Sequence, residues 1–364
     1  MLQCGAVSII SAFDFQPLDI PLHTPFGISG GAQAMANNVL VTVELDGGFT
    51  GYGEAAPLPP YNGETQADAL AAFAEARGWL IGRGTTNWHE LAGEFRRRGG
   101  AGCGSAQCAF EMALLDALTR RDGVPLWKYF GGAGTTLETD MTVTTGSPEQ
   151  AAVDARAIRG RGIRQIKIKI GGPKGTAHDL ARIGAIHEVA PDAPLILDGN
   201  AGVSRTDASE LMRGLRARGI TPALLEQWLA KDDLAGMRAL GEESGWLVAA
   251  DECACTVADI GRIAREKAAQ IVNIKLMKAG IATALDIAEA ARAEGIGLMI
   301  GGNVESILAM TVSASFAAGL GGFRFADLDT PLFLATNPFT GGYTLDGGMI
   351  SVAHIHAGHG VTPV

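Results

Sequence analysis

The chain has 364 residues, 47% of them hydrophobic and 19% charged, and a net charge of −10. That length and apolar content can bury one or two cores, while the acidic balance excludes the basic surface that nucleic acid or an anionic membrane would need. A small-molecule partner is therefore expected.

The N-terminal stretch LQCG resembles a lipid-attachment site, but no apolar segment precedes it and no Lys or Arg occurs before Arg77. Without a basic end no signal or transit peptide is expected. Five cysteines (Cys4, Cys103, Cys108, Cys253, Cys255) without a CxxC pair suit reduced thiols in a cytoplasm. Cys253 and Cys255 lack the second pair that a zinc site would need.

Strand-like runs at residues 7–15, 39–45 and 51–54 precede helical patterns at 65–80 and 105–121. They predict an α+β capping domain over residues 1–132. From residue 133 to 330 eight short β-branched runs alternate with Ala/Leu/Arg-rich helical segments, and this alternation demands a parallel sheet. The fold class expected is α/β, a (β/α)7β barrel of the TIM type. A doubly wound sheet is the rival, but no GxGxxG opens a helix after the first strand. The uncharged run SILAMTVSASFAAGLGGF at 306–323 reads as a buried helix ending in a Gly-rich turn. The tail, 331–364, is too short to fold alone and should complete the capping domain.

In RQIKIKIGG, residues 164–172, the period of two puts Ile166, Ile168 and Ile170 on one face and Lys167 and Lys169 on the other. Edge-guarding lysines would give the same pattern. Further along, Asp198 ends ILDGN, Glu226 ends LLEQW, Asp251 ends VAADE and Lys275 sits in NIKLMK. Counted from Lys169, the intervals are 29, 28, 25 and 24 residues, about one βα unit each. Five consecutive strands thus bring one charged group apiece to the mouth at the C-terminal strand ends. Asp198, Glu226 and Asp251 form an all-oxygen set suited to one Mg²⁺, although a strand-end acid is also a common helix cap. Lys169 and Lys275, four strands apart, should face each other across the pore. A carbon between two such bases can lose a proton to one and regain it from the other, which is racemase or epimerase chemistry. Lys167 and the metal are expected to lower the pKa of the base.

KIK, LDGN, LEQ, ADE and NIKLMKAG, in this order and spacing, resemble the enolase superfamily, muconate-lactonising subgroup. The resemblance implies Asp198, Glu226 and Asp251 as Mg²⁺ ligands, Lys169 and Lys275 as the acid/base pair and Lys167 as an assisting group. Trp228 stands where the family usually has proline, and ADEC replaces ADES.

FRFADLDTPLF places Asp327 and Asp329 on one face, where two carboxylates repel unless a cation lies between them; helix capping is the plainer alternative. DLDTPL resembles the motif of dipeptide epimerases, such as L-Ala-D/L-Glu epimerases, that holds a substrate's terminal ammonium, and Thr142 resembles their substrate-lining threonine. Asn303, in GGNVES, is a candidate polar contact or a turn residue. The function expected is Mg²⁺-dependent inversion of the α-carbon of a dipeptide's C-terminal residue through an enediolate. N-acylamino acid racemase, o-succinylbenzoate synthase and muconate cycloisomerase chemistry are the alternatives, and the resemblance implies a homo-oligomer. Side-chain preference should come from loops PFGISGGAQ (25–33) and PLPPYNGET (57–65), closing over the mouth as a lid. Residues 1–76 hold eight acids and no Lys or Arg, so neutral, hydrophobic or cationic dipeptides are expected over acidic ones. HIHAGHG, with His354, His356 and His359, reads as a solvated turn.

Overall fold

The structure, a computed structural model, describes residues 8–28 and 31–364. Cys4, the LQCG stretch and the tip of the first lid loop at Ser29 and Gly30 lie outside the described residues. The chain opens with a three-stranded antiparallel sheet, β1 (Ile10–Ile28), β2 (Gly31–Leu45) and β3 (Phe49–Ala55). Then come α1 (Pro59–Asn62), α2 (Gln66–Leu80), α3 (Trp88–Arg97), α4 (Gly104–Arg121) and α5 (Leu126–Tyr129). Thr65 and Asp68 form a capping box that fixes the start of α2. α4 is buried from Gly104 to Thr119, and it lies against β3 so closely that a Cβ at Gly51 or Gly53 would overlap the carbonyl oxygens of Ala113 and Ala109. The α+β reading of this segment holds, with β1 longer than the sequence suggests and α3 unforeseen.

After β4 (Thr136–Glu138), eight parallel strands follow in spatial order: β5 (Met141–Val143), β6 (Ile166–Lys169), β7 (Leu195–Asp198), β8 (Leu224–Glu226), β9 (Val248–Ala250), β10 (Ile271–Lys275), β11 (Gly297–Gly301) and β12 (Phe323–Ala326). Seven helices connect them: α6 (Pro148–Gly160), α7 (Thr176–Val189), α8 (Arg205–Ala217), α9 (Leu234–Ser244), α10 (Val257–Glu266), α11 (Ile281–Ala293) and α12 (Ile307–Leu320). The fold is α/β, a (β/α)7β barrel with an N-terminal cap. No ladder joins β12 to β5; the Asp140 N–H donates to the Ala326 carbonyl at 3.0 Å. Ile196, Leu224, Ala249, Ile271, Met299 and Phe325 form a dry floor inside the barrel, and the charged layer stands above it. α12 is the buried helix expected, and among the described residues no helix is long and apolar enough to cross a membrane.

The tail forms β13 (Phe339–Gly341), β14 (Thr344–Asp346), β15 (Met349–Ser351) and β16 (Val361–Pro363). β15 pairs with β4, and the last residues reach the cap, where the Arg120 guanidinium donates to the Val361 carbonyl at 2.7 Å.

Candidate active site

Register sets the site. Lys169 pairs with Asp198 and Asp198 with Glu226 across β6, β7 and β8, so three charges lie level at the strand ends. Asp251 follows β9 directly, and Lys275 ends β10. All five are buried. The backbone turns sharply just past the acids: Asn200, Ala201 and Gln227 have φ of 41°, 58° and 35°. Side chains other than glycine are uncommon in that left-handed region, and such strain concentrates at functional sites.

Lys167 is fully buried, 3.0 Å from Asp198, 2.9 Å from Glu226 and 2.7 Å from Asp327. Lys169 donates to Asp198 at 2.6 Å. Across the barrel, Lys275 lies 2.8 Å from Asp251 Oδ2 and Lys278 lies 2.6 Å from Oδ1. Burial pushes Asp198 and Asp251 upward, but the adjoining lysines outweigh it and hold both carboxyls well below the usual range. Burial alone would lower Lys167; Asp198, Asp327 and Glu226 reverse this and hold it firmly as an ammonium. Lys275 behaves likewise, raised by Asp251 against burial and against the repulsion of Lys167. Lys167 therefore acts on Lys275 in the expected direction, and Asp251 opposes it.

The three strand-end acids fit a hard dication. They are oxygen donors from adjacent strands, and Glu226 Oε2 and Asp251 Oδ2 are buried yet accept no hydrogen bond, meeting only ammonium nitrogens at ion-pair distance. Among the described residues, however, the acids whose oxygens come within 4.8 Å of one another are Asp140, Asp327 and Asp329. In that cluster Asp327 is paired with Lys167 and Asp329 accepts the Thr142 N–H at 2.6 Å. Ammonium groups stand among Asp198, Glu226 and Asp251 instead.

Asp327 is therefore not short of a cation, as the strand pattern suggested, because Lys167 reaches it from β6. Burial and Asp327 push Asp329 up to about 7. Thr142 is buried at this place, opposite Lys167 in register. Asn303 is buried, and its amide donates to the Ala56 carbonyl of the cap at 2.9 Å while its backbone N–H donates to Glu305 at 2.7 Å.

The second lid loop reaches the mouth. Tyr61 donates to Asp251 at 3.1 Å, and the Lys275 ammonium sits 4.3 Å from its ring centroid. The first loop borders a cavity of about 460 Å³, where Gly27, Gly31 and Ala32 face Thr145, Gly172 and Lys174. The exposed Lys174 means that the lack of cations in residues 1–76 does not leave this cavity without one. Cys253 packs beside Met237 sulfur at 3.9 Å, consistent with a thiol and not a metal pair. His354 and His356 are exposed, but His359 is fully buried, its Nε2 3.0 Å from Asp116, which corrects the solvated-turn reading for that residue.

Sequence reasoning missed Asn273, Lys278, Tyr61 and Asp140. Asn273 shares the inward face with Lys275 by strand alternation, a usable signal. Lys278 does not, because the chain turns after β10 through a 3-10 segment at Leu276–Lys278.

Residues 10–131 match the family model for the mandelate racemase / muconate lactonizing enzyme N-terminal domain, and residues 150–364 match the enolase C-terminal domain-like model. An aromatic dipeptide epimerase of Herpetosiphon aurantiacus is 49% identical, covering 97% of this chain and 98% of its own. The substrate-liganded L-Ala-D/L-Glu epimerase of Bacillus subtilis superposes with a TM-score of 0.92 at 33% identity, covering 98% and 99%. The Enterococcus faecalis dipeptide epimerase, solved with Mg and L-Leu-L-Tyr, has a TM-score of 0.92 at 29% identity, covering 97% and 99%.

Proposed function

The chain belongs to the mandelate racemase / muconate lactonizing enzyme family of the enolase superfamily, and from that premise we infer how it works. It is a Mg²⁺-dependent dipeptide epimerase, an isomerase that inverts the α-carbon of the C-terminal residue. The carrying observation is the pair of buried lysines at the ends of β6 and β10, four strands apart in an eight-stranded ring, with three buried acids on the strands between.

Asp198, Glu226 and Asp251 would hold Mg²⁺. When bound, it would supply positive charge to offset the second negative charge that a deprotonated substrate carboxylate acquires. Lys169 and Lys275 flank the α-carbon; in one direction Lys169 takes the proton and Lys275 delivers one to the opposite face, and the reverse reaction exchanges the roles. Lys167 keeps a fixed positive charge beneath them. Asp327 and Asp329, on the side opposite β8, receive the dipeptide ammonium, with Thr142 holding Asp329 in place. The alternative substrates of the subgroup lack that ammonium, so the second carboxylate beside the Lys167–Asp327 pair would have no cation of its own to meet.

In D2O with Mg²⁺, the wild type should incorporate deuterium at the α-carbon of the C-terminal residue. Lys169→Ala and Lys275→Ala should abolish net inversion; inversion surviving either change would refute the two-base assignment. Asp327→Asn with Asp329→Asn should raise KM for dipeptides sharply, and an unchanged KM would favour an N-acylated substrate.

In the cavity beneath the first loop, Gly27, Gly31, Ala32, Gly146 and Gly172 leave room for a neutral or hydrophobic side chain, which supports a preference for such side chains. Lys174 and Arg182 also line it and argue for acidic ones, although Arg182 is already ion-paired with Asp179 at 3.3 Å. A panel containing L-Ala-L-Phe, L-Ala-L-Leu, L-Ala-L-Lys and L-Ala-L-Glu decides between them, and fastest turnover of the last would reverse the preference. The domain limits we propose are 1–132 for the cap, 133–330 for the barrel and 331–364 for the returning tail. Free thiols at Cys103, Cys108, Cys253 and Cys255 support a cytoplasmic location, and membership of the family supports a homo-oligomer.

A further inference from the structure

Each strand-end acid has one oxygen fixed by a donor and the other turned toward the lysines. Asp198 Oδ1 accepts the Asn200 N–H at 2.9 Å, leaving Oδ2 to Lys167 and Lys169. Glu226 Oε1 accepts the Asn273 amide at 2.8 Å, and Oε2 accepts no hydrogen bond. Asp251 Oδ1 meets the Lys278 ammonium at 2.6 Å and the Tyr61 hydroxyl at 3.1 Å, and Oδ2 again accepts none.

Lys278 is not available as a third base. Its ammonium also donates to the carbonyls of Asp251 at 2.7 Å and Asn273 at 2.8 Å, with Ala254 at 3.4 Å, and its side chain is only 4% exposed. With three donors and this many acceptors around it, its protons are committed. It therefore ties the end of β9 to β10. Asn273, two residues before Lys275, does the same for β8 through Glu226.

We propose that Asn273 and Lys278 are positioning residues that orient Glu226 and Asp251, so that Oε2 and Oδ2 are presented to the divalent cation. β10 then carries both the base and the groups that set the metal's ligands. Donors behind ligating carboxylates fix their rotamers, and their loss typically weakens metal binding about 10- to 100-fold. The proposal rests on the assignment of Asp198, Glu226 and Asp251 as the metal site.

The test is Mg²⁺ titration by calorimetry of the wild type, Lys278→Met and Asn273→Leu, with circular dichroism confirming that each is folded. The Mg²⁺ Kd should rise about 10- to 100-fold in each variant, and part of the lost epimerase activity should return as Mg²⁺ is raised. A purely structural role would give a loss that added metal does not recover. Variants that bind Mg²⁺ as tightly as the wild type overturn the proposal. A wild type that binds no Mg²⁺ overturns the underlying metal assignment instead. If either variant does not fold, Lys278→Gln, which removes the ammonium charge, and Asn273→Ala, which removes the amide without adding volume, carry the same comparison.

Discussion

Asp329 gives the site a pH dependence whose sign follows from its surroundings. Burial and the neighbouring Asp327 raise its carboxyl to about 7, whereas in an unfolded chain it would ionise near the ordinary value of about 3.9. The folded state therefore binds more protons between those limits, and this group reduces stability as pH rises from about 4 to about 7. Binding runs the other way, because an ammonium needs the carboxylate ionised. KM for a dipeptide should fall as pH rises through about 7, and Asp329→Asn should flatten that profile; the same slope in the variant would dissociate it from Asp329. Lys167 is the hub of the same region, ion-paired with Asp198, Glu226 and Asp327 and fully buried. Lys167→Met should lower stability by about 3–5 kcal/mol, since it strands buried carboxylates, and urea denaturation would reveal this. Unchanged unfolding would mean that the acids find other partners. The strand-end residues Lys167, Lys169, Asp198, Glu226, Asp251 and Lys275 were legible in the sequence because the βα period repeats and strand alternation fixes the inward face, whereas Lys278 and Asp140 lie off that pattern. The pairing of these charges was not legible, because which ammonium meets which carboxylate depends on side chains reaching across strands.

Cap and barrel are joined at β3 and α12. Glu54, fully buried near the end of β3, accepts the N–H groups of Ser306 at 3.0 Å and Ala309 at 3.3 Å, at the exposed end of the α12 hydrogen-bond ladder, and the Asn38 amide at 2.7 Å. An anion suits a helix N-terminus, and here it comes from a different part of the chain. Asn38 also donates to the Val304 carbonyl at 3.0 Å, and Asn303 to Ala56. Glu54→Ala should leave these donors buried without an acceptor, a loss of about 1–3 kcal/mol, with Glu54→Gln intermediate. Thermal or urea unfolding would show it, and equal midpoints for Ala and wild type would mean that water replaces the carboxylate. The α12 helix itself was readable from its uncharged run. Glu54 was not, since a lone acid at the end of an apolar strand carries no mark of a partner 252 residues away. α3 was missed for a different reason: its buried face is just Trp88, Leu91, Ala92 and Phe95 among charged residues, too short a stripe to stand out from a loop.

At the scale of the whole molecule, the chain closes on itself before the site is complete. Tyr61 of the cap and Asp251 of the barrel are 190 residues apart yet hydrogen-bonded, so the position of the cap affects the chemistry directly. The tail fixes the cap from its far side. Asp116 on α4 accepts the backbone N–H of His359 at 2.9 Å through Oδ1, while Oδ2 takes Arg120 at 2.8 Å and the Tyr52 N–H at 3.1 Å. His359 Nδ1 accepts the Val361 N–H at 3.1 Å, which leaves Nε2 as the protonated nitrogen facing Tyr52 and Asp116. A three-histidine tract near a chain end looks like a solvent-exposed metal tract or turn, and no pattern in it distinguishes the buried member. His359→Ala should remove the tie to Tyr52 while Arg120 still neutralises Asp116, so a loss of about 1–3 kcal/mol is expected, confined at first to the cap and tail. Activity in dilute urea separates this from a global effect. The variant should lose epimerase activity at a lower urea concentration than the barrel loses its secondary structure, because the Tyr61 loop is released first. If activity and barrel structure disappear together at the wild-type midpoint, the tail is not holding the cap over the mouth.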